Sequence, residues 1–246
     1  MNKSVYLIKQ STTPNILDLY IYDYVEGDSY DWWTDEKIES QTSANYIQKQ
    51  LEGAKGVNEI NIYINSYGGE VKEGLAIYNQ LKRHPAQKTV YVDGFACSIA
   101  SVIAMAGDRV IMGNNTLMMI HHASMGAWGN AEELRKAAND VEVIDKASCS
   151  SYLAKAGDKL SEETLNQLLD NQTWLNAEQC LQYGLCDEIA GKEDDNISKA
   201  QQRFNSAIKQ QIESLRQEIK VPDNLIQQKT NAEKLMSVFK KKMEGK

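Results

Sequence analysis

The chain has 246 residues, of which 42% are apolar and 25% charged, with a formal net charge of −7. That length fits one large domain or one domain plus an appendage, and the apolar share is enough for a core. The acidic balance excludes a dedicated nucleic-acid binder, whose footprint would be basic.

No window approaches the roughly 18 uncharged apolar residues of a membrane-spanning helix. The start, Met1 to Gln10, holds only the short apolar run Val5 to Ile8 between Lys3 and Lys9, without the core of a secretory signal. A cytoplasmic protein with no membrane partner is expected. Leu17, Leu19 and Ile21 alternate with polar or aromatic residues, a strand period. A polar, aromatic stretch follows from Glu26 to Asp35. A helix is predicted from about Ser43 to Gly53, a natural stop. Ile60 to Ile64 reads as a strand, and Val71 to Lys82 as a helix with Val71, Leu75, Tyr78 and Leu81 on one stripe. Thr89 to Val92 is a short predicted strand, and Ile99 to Ala106 a small-residue helix. Arg109 to Met112 and Leu117 to Ile120 are further strands, separated by turn residues.

A long helix is expected from Ala131 to Ala156. Ser161 then caps a helix with Glu162 and Glu163 in its first turn, where the helix dipole favours acids. Another short helix ends at Gly184, and Cys186 to Ile189 is the last strand. This alternation indicates an α/β fold with largely parallel strands over residues 1–191. Residues 192–246 read as a charged linker and helical tail. There Phe204, Ile208, Ile212, Leu215 and Ile219 form a narrow apolar stripe, suited to a partner helix or to docking on the chain's own body.

Three segments carry chemistry. Gly68 and Gly69 follow a predicted strand, and such a pair lets backbone N–H groups point into a cleft as an oxyanion hole requires. Ser98 stands where a strand-exit turn meets a helix start, so helix N–H groups converge on it. Histidines are scarce: His84 is expected at a surface helix end, while His121 and His122 follow an apolar strand. If Ile120 faces the core, His121 faces a cleft. Adjacent histidines lack the spacing of a helical zinc pair, and the four cysteines form no C-x-x-C, so neither metal nor cofactor is expected.

The run Ile64-Asn65-Ser66-Tyr67-Gly68-Gly69, the turn Ala96-Cys97-Ser98-Ile99 and Met119-Ile120-His121 resemble, in order and spacing, motifs of the Clp protease family. Trp174-Leu175-Asn176-Ala177-Glu178 and Tyr183-Gly184-Leu185 extend the similarity over roughly Leu17 to Ile189. The resemblance implies a Clp/crotonase-like spiral of βαβ units and a serine endopeptidase. It assigns Ser98 as nucleophile, His121 as base, and the N–H groups of Gly68 and Ile99 as the oxyanion hole. It also implies a homo-oligomeric ring with protein or peptide substrates, in which the helix from Ala131 makes contacts. The family has Pro where this chain has Tyr67. At the position of the family's acid stands Gln172, so Asp170 is the expected substitute if the turn shifts. Asp31-Trp32-Trp33, the segment 74–79 and Gly126-Ala127-Trp128-Gly129-Asn130-Ala131 resemble the Clp-like proteases of tailed phages and prophages. There the resemblance implies capsid or scaffold cleavage without a dedicated unfoldase.

The alternatives are a proteolytic subunit working with an AAA+ ATPase, a crotonase-like acyl-CoA enzyme and an inactive structural ring. Ser98 followed by His121 argues against the last two, while Gln172 favours inactivity. Cys97 is a rival nucleophile. One residue's shift at a helix start turns a side chain by about 100°, so Cys97 and Ser98 cannot both face His121.

Overall fold

A computed structural model describes residues 15–191 of the chain. The tail stripe from Phe204 to Ile219 lies outside the described residues.

Strand β1 (Ile16–Val25) leads into a hairpin of β2 (Ser29–Asp31) and β3 (Glu36–Ile38). The hairpin was not legible as strands, because a side-chain hub anchors it instead of an apolar face. Asp28 pairs with Lys37 at 2.7 Å and accepts from Ser40 N–H and the Ser43 hydroxyl, both at 3.1 Å. Ser43 caps α1 (Ala44–Gly53) by accepting from Tyr46 N–H, as the sequence predicts.

Next come β4 (Glu59–Gly69), α2 (Val71–Arg83), β5 (Gln87–Cys97) and α3 (Ile99–Ala104). β6 (Arg109–Gly113) and β7 (Leu117–Ile120) precede the long α4 (Ala131–Ala156). α5 (Glu162–Asp170), β8 (Thr173–Asn176), α6 (Ala177–Gln182) and β9 (Glu188–Ala190) complete the described chain. The strand order is β1-β4-β5-β6-β9, all parallel, with β7 parallel to the far end of β5 and β8 antiparallel to β7. The α/β reading with a mainly parallel sheet therefore holds. β8 was missed: its four residues carry too little pattern, and only its pairing with β7 defines it.

Ile60, Ile62 and Ile64 are fully buried, as are Val90, Ile77 and Leu81. Each such side chain contributes about 1.5–3 kcal/mol of burial. The opposite face of the sheet carries Tyr20, Tyr63 and Tyr91 in a row, with ring centroids 4.8 and 5.2 Å apart.

β4 and β5 do not stop at Ile64 and Val92, where the sequence suggests. They run on past an irregularity. Ile64 pairs with Val92, but Ser66 pairs with Ala96, so β5 carries two extra residues there. Asn65 fills the gap: its Oδ1 accepts from Phe95 N–H at 3.2 Å. A Cβ on Gly94 would stand 2.5 Å from that oxygen, so a side chain there would push Asn65 out of the gap. Beyond the bulge β5 leaves β6 for β7, and both strand ends reach one place.

Candidate active site

That place is Ser98. It follows β5 directly and precedes α3, with φ 52° and ψ −128°. A non-glycine residue there is strained and held by its surroundings, the situation of a nucleophile elbow. Its N–H donates to Met119 carbonyl oxygen at 2.7 Å, tying the elbow to β7. Its carbonyl accepts from Ser101 Oγ at 2.5 Å, and Ser101 Oγ lies 2.7 Å from the buried Tyr152 hydroxyl of α4.

β7 delivers the partner. Met118 and Ile120 are fully buried, so the alternate residues face the other way. His121 continues that outward row, and its Nε2 lies 2.8 Å from Ser98 Oγ. The register inferred from Ile120 is the one observed. Phe95 stands on the same outward side, between Tyr67 and Trp174, with ring centroids 5.4 Å from each.

Cys97 points into the core and is fully buried. Burial pushes its thiol up to about 11, so it holds almost no thiolate at neutral pH.

Gly68 lies against the elbow at φ +100°, where a Cβ would sit 3.2 Å from Ile99 N. Its own N–H donates to Ser66 Oγ at 3.0 Å. Ile99 is the first residue of α3, where an N–H has no intrahelical acceptor. The two amides expected to form an oxyanion hole thus flank Ser98, one of them occupied by a neighbouring hydroxyl.

Asp170 does not meet His121. Its Oδ1 lies 3.2 Å from His122 Nε2, and the other ring nitrogen, Nδ1, lies 2.6 Å from Asp145 Oδ2. Among the described residues no carboxylate pairs with the His121 ring. Asp170 falls to His122 because it ends α5 one turn short of β8, and the chain then turns through Gln172 at φ +47°. Gln172 is exposed, and its side chain makes no hydrogen bond to His121 among the described residues.

Sequence reasoning missed His122 and Asp145. A carboxylate inside a helix, 23 residues from its partner, leaves no local signature. Two carboxylates on the two nitrogens of one ring favour the form in which both nitrogens donate, the imidazolium. Burial alone would lower its pKa. The bonds and charges of Asp145 and Asp170 outweigh that and raise it.

A cavity of about 640 Å³ opens beside this cluster, lined by His122, Asp145, Cys149 and Glu162 among others. It adjoins the Ser98–His121 pair without containing either. Among the described residues no group of three or more histidine, cysteine or acidic side chains is arranged to hold a metal ion. No helix among them is long and apolar enough to cross a membrane.

The Clp protease family profile matches residues 33–193. An ATP-dependent Clp protease proteolytic subunit 1 of Streptomyces avermitilis is 32% identical over 169 residues, covering 66% of this chain and 76% of the relative. The ATP-dependent Clp protease proteolytic subunit of Deinococcus radiodurans is 34% identical over 165 residues, covering 65% and 79%. That of Ligilactobacillus salivarius is 34% identical over 152 residues, covering 59% and 76%.

Proposed function

We propose a mechanism from one premise: the chain belongs to the Clp protease family and is a serine peptidase of the Clp type. Ser98 is the nucleophile and His121 the general base. The observation that carries this is the 2.8 Å contact between Ser98 Oγ and His121 Nε2 at a strained elbow. Neutral His121 accepts the hydroxyl proton as Oγ bonds to the peptide carbonyl carbon. The carbonyl oxygen becomes an oxyanion, held by Ile99 N–H and by Gly68 N–H once it exchanges Ser66 Oγ for the substrate. The C–N bond then breaks, and His121 returns its proton to the leaving amine. Water attacks the acyl-serine by the same route in reverse, releasing the acid. Among the described residues His121 has no carboxylate partner, so the site works as a dyad.

The βαβ succession from β1 to β6 supports the spiral arrangement shared with crotonase-like proteins. We read the assembled form as a homo-oligomeric ring that encloses its sites and takes protein or peptide substrates. The likeness of Asp31-Trp32-Trp33 and the segment 126–131 to phage Clp-like proteases supports capsid or scaffold protein as the substrate. The likeness to ATP-dependent Clp protease proteolytic subunits supports a second reading, a proteolytic subunit served by an AAA+ ATPase.

A fluorophosphonate probe should label the wild-type chain and not Ser98→Ala, and peptide hydrolysis should fall on the order of 10³-fold or more in that variant. Undiminished hydrolysis by Ser98→Ala would remove Ser98 from the mechanism. Cleavage of co-expressed capsid or scaffold protein without added ATP favours the first substrate reading, and strict dependence on an ATPase favours the second.

A further inference from the structure

We propose that Asp145 and His122 are positioning residues for His121, standing in for the carboxylate that the dyad lacks. The inference rests on the serine peptidase reading and deepens it. Asp145 lies in α4, far along the chain from the site. Its Oδ1 accepts from Ala123 N–H at 2.7 Å and its Oδ2 from His122 Nδ1–H at 2.6 Å. Both donors belong to the two residues that directly follow His121. The Asp145 side chain is only 13% exposed, so these charge-assisted bonds are little screened by solvent.

Apart from the His121–Ser98 contact and the longer His122–Asp170 bond, no other side-chain hydrogen bond holds residues 121–128 among the described residues. Residues 121–128 form no helix or strand. β7 fixes the chain up to Ile120 through its pairing with β8. Asp145 fixes it again at His122 and Ala123. His121 is therefore the one residue between two anchors, and its backbone direction is set from both sides. In a full triad a carboxylate orients the base through the imidazole N–H. Here a carboxylate acts one and two residues downstream, on the main chain and on the neighbouring ring.

The same helix braces the nucleophile. Tyr152 follows Asp145 by seven residues, two helical turns, and so shares its face. Through Ser101 it holds the Ser98 carbonyl. One face of α4 thus fixes both the elbow and the segment that carries the base. Asp170 contributes less: its bond to His122 is 3.2 Å long and its side chain 71% exposed.

The test measures the rate constant and the endpoint of fluorophosphonate labelling at Ser98, with peptide kcat and KM, in assembled full-length protein. Asp145→Ala should lower the rate constant and kcat about 10- to 100-fold, the scale of a misplacement near 1 Å. The endpoint and KM should stay unchanged, because folded sites are still present and bind normally. Asp145→Asn keeps an acceptor for Ala123 N–H and should lose less. It also serves where Asp145→Ala fails to fold. Wild-type rate constants in a folded Asp145 variant would overturn the inference. So would a loss confined to the endpoint, which would mark a merely structural role. If the wild-type chain itself were not labelled at Ser98, the peptidase reading would fall first and this role with it.

Discussion

Gly68 lies so close beneath Ser98 that a Cβ placed on it would stand 2.7 Å from the Ser98 Cβ. The same atom would meet the Cys97 carbonyl oxygen at 2.7 Å, and the glycine itself is at φ +100°. The second glycine of the pair, Gly69, is excluded from substitution by another contact, the Val25 carbonyl oxygen at 2.0 Å. Gly68 therefore serves the elbow and Gly69 the β1–β4 junction.

Gly68→Ala is expected to displace the elbow, since backbone cannot yield as a flexible side chain does. Peptide hydrolysis should fall about 100-fold or more. Fold stability should drop by on the order of 1–3 kcal/mol from the left-handed conformation alone. Labelling kinetics and a denaturant titration measure the two effects separately. Wild-type labelling would show that the elbow tolerates a methyl group.

Gly74 of α2 bears on the same elbow from below. A Cβ there would lie 2.1 Å from Ile99 Cγ1, and Ile99 is buried. Gly74→Ala should overpack the site by about 1–3 kcal/mol and slow catalysis. Ile99→Ala removes the colliding atoms, so the double variant should recover much of the loss. A double-mutant cycle measures this coupling. Additive losses would mean that α2 yields instead of Ile99.

Cys97→Ala should keep near-wild-type activity, and iodoacetamide should leave the wild-type enzyme active. A thiol pushed up to about 11 and sealed in the core neither attacks a carbonyl nor meets a reagent. Inactivation that tracks alkylation of Cys97 would reverse the assignment of nucleophile.

Much of this site was legible in the sequence, and the reason differs by residue. Strand alternation around Ile120 and the small residues of the turn put Ser98 and His121 at a strand exit and on a cleft-facing side, while their roles came only from the resemblance to the Clp family. The helices α1 and α4 were read at the right places, and the structure shows what starts them: Ser43 caps the first, and Asn130 with Glu133 forms a capping box on the second. Asn65 carries a role that periodicity cannot express, since it replaces a ladder partner across a bulge. The acid was illegible for a stronger reason. Asp170 and Asp145 are brought to one histidine by tertiary packing of two helices, and nothing local distinguishes either from the other acids of the chain.

Gln172 tests whether the dyad can be completed. Its φ of +47° is a conformation that aspartate tolerates better than most residues. Gln172→Asp should leave the turn intact and raise kcat by up to about tenfold, if its carboxylate reaches His121 and stabilises the imidazolium. Asp170→Asn should change kcat less than about twofold, because its exposed carboxylate bonds His122 and not the base. A large loss in Asp170→Asn, with no gain in Gln172→Asp, would show that Asp170 moves to His121 during turnover.

The His122 clamp has a pH signature. His122 meets Asp145 from α4 and Asp170 from α5, with Glu142, Lys146, Cys149 and Glu162 lining the adjoining cavity. Burial opposes its charge, but the two carboxylates raise its pKa above the ordinary histidine value. A raised folded pKa binds the proton more tightly in the native state. The resulting stability is fully present below about 6.5, the unfolded value, and is lost as pH rises through the folded value. The imidazolium is partly exposed, so solvent screens the gain and the effect should be modest. His122→Gln removes the titrating ring, so it isolates that contribution. Thermal midpoints of wild type and His122→Gln should differ most near pH 6 and converge towards pH 9. A difference that stayed constant, or grew with pH, would mean that His122 does not donate from both nitrogens.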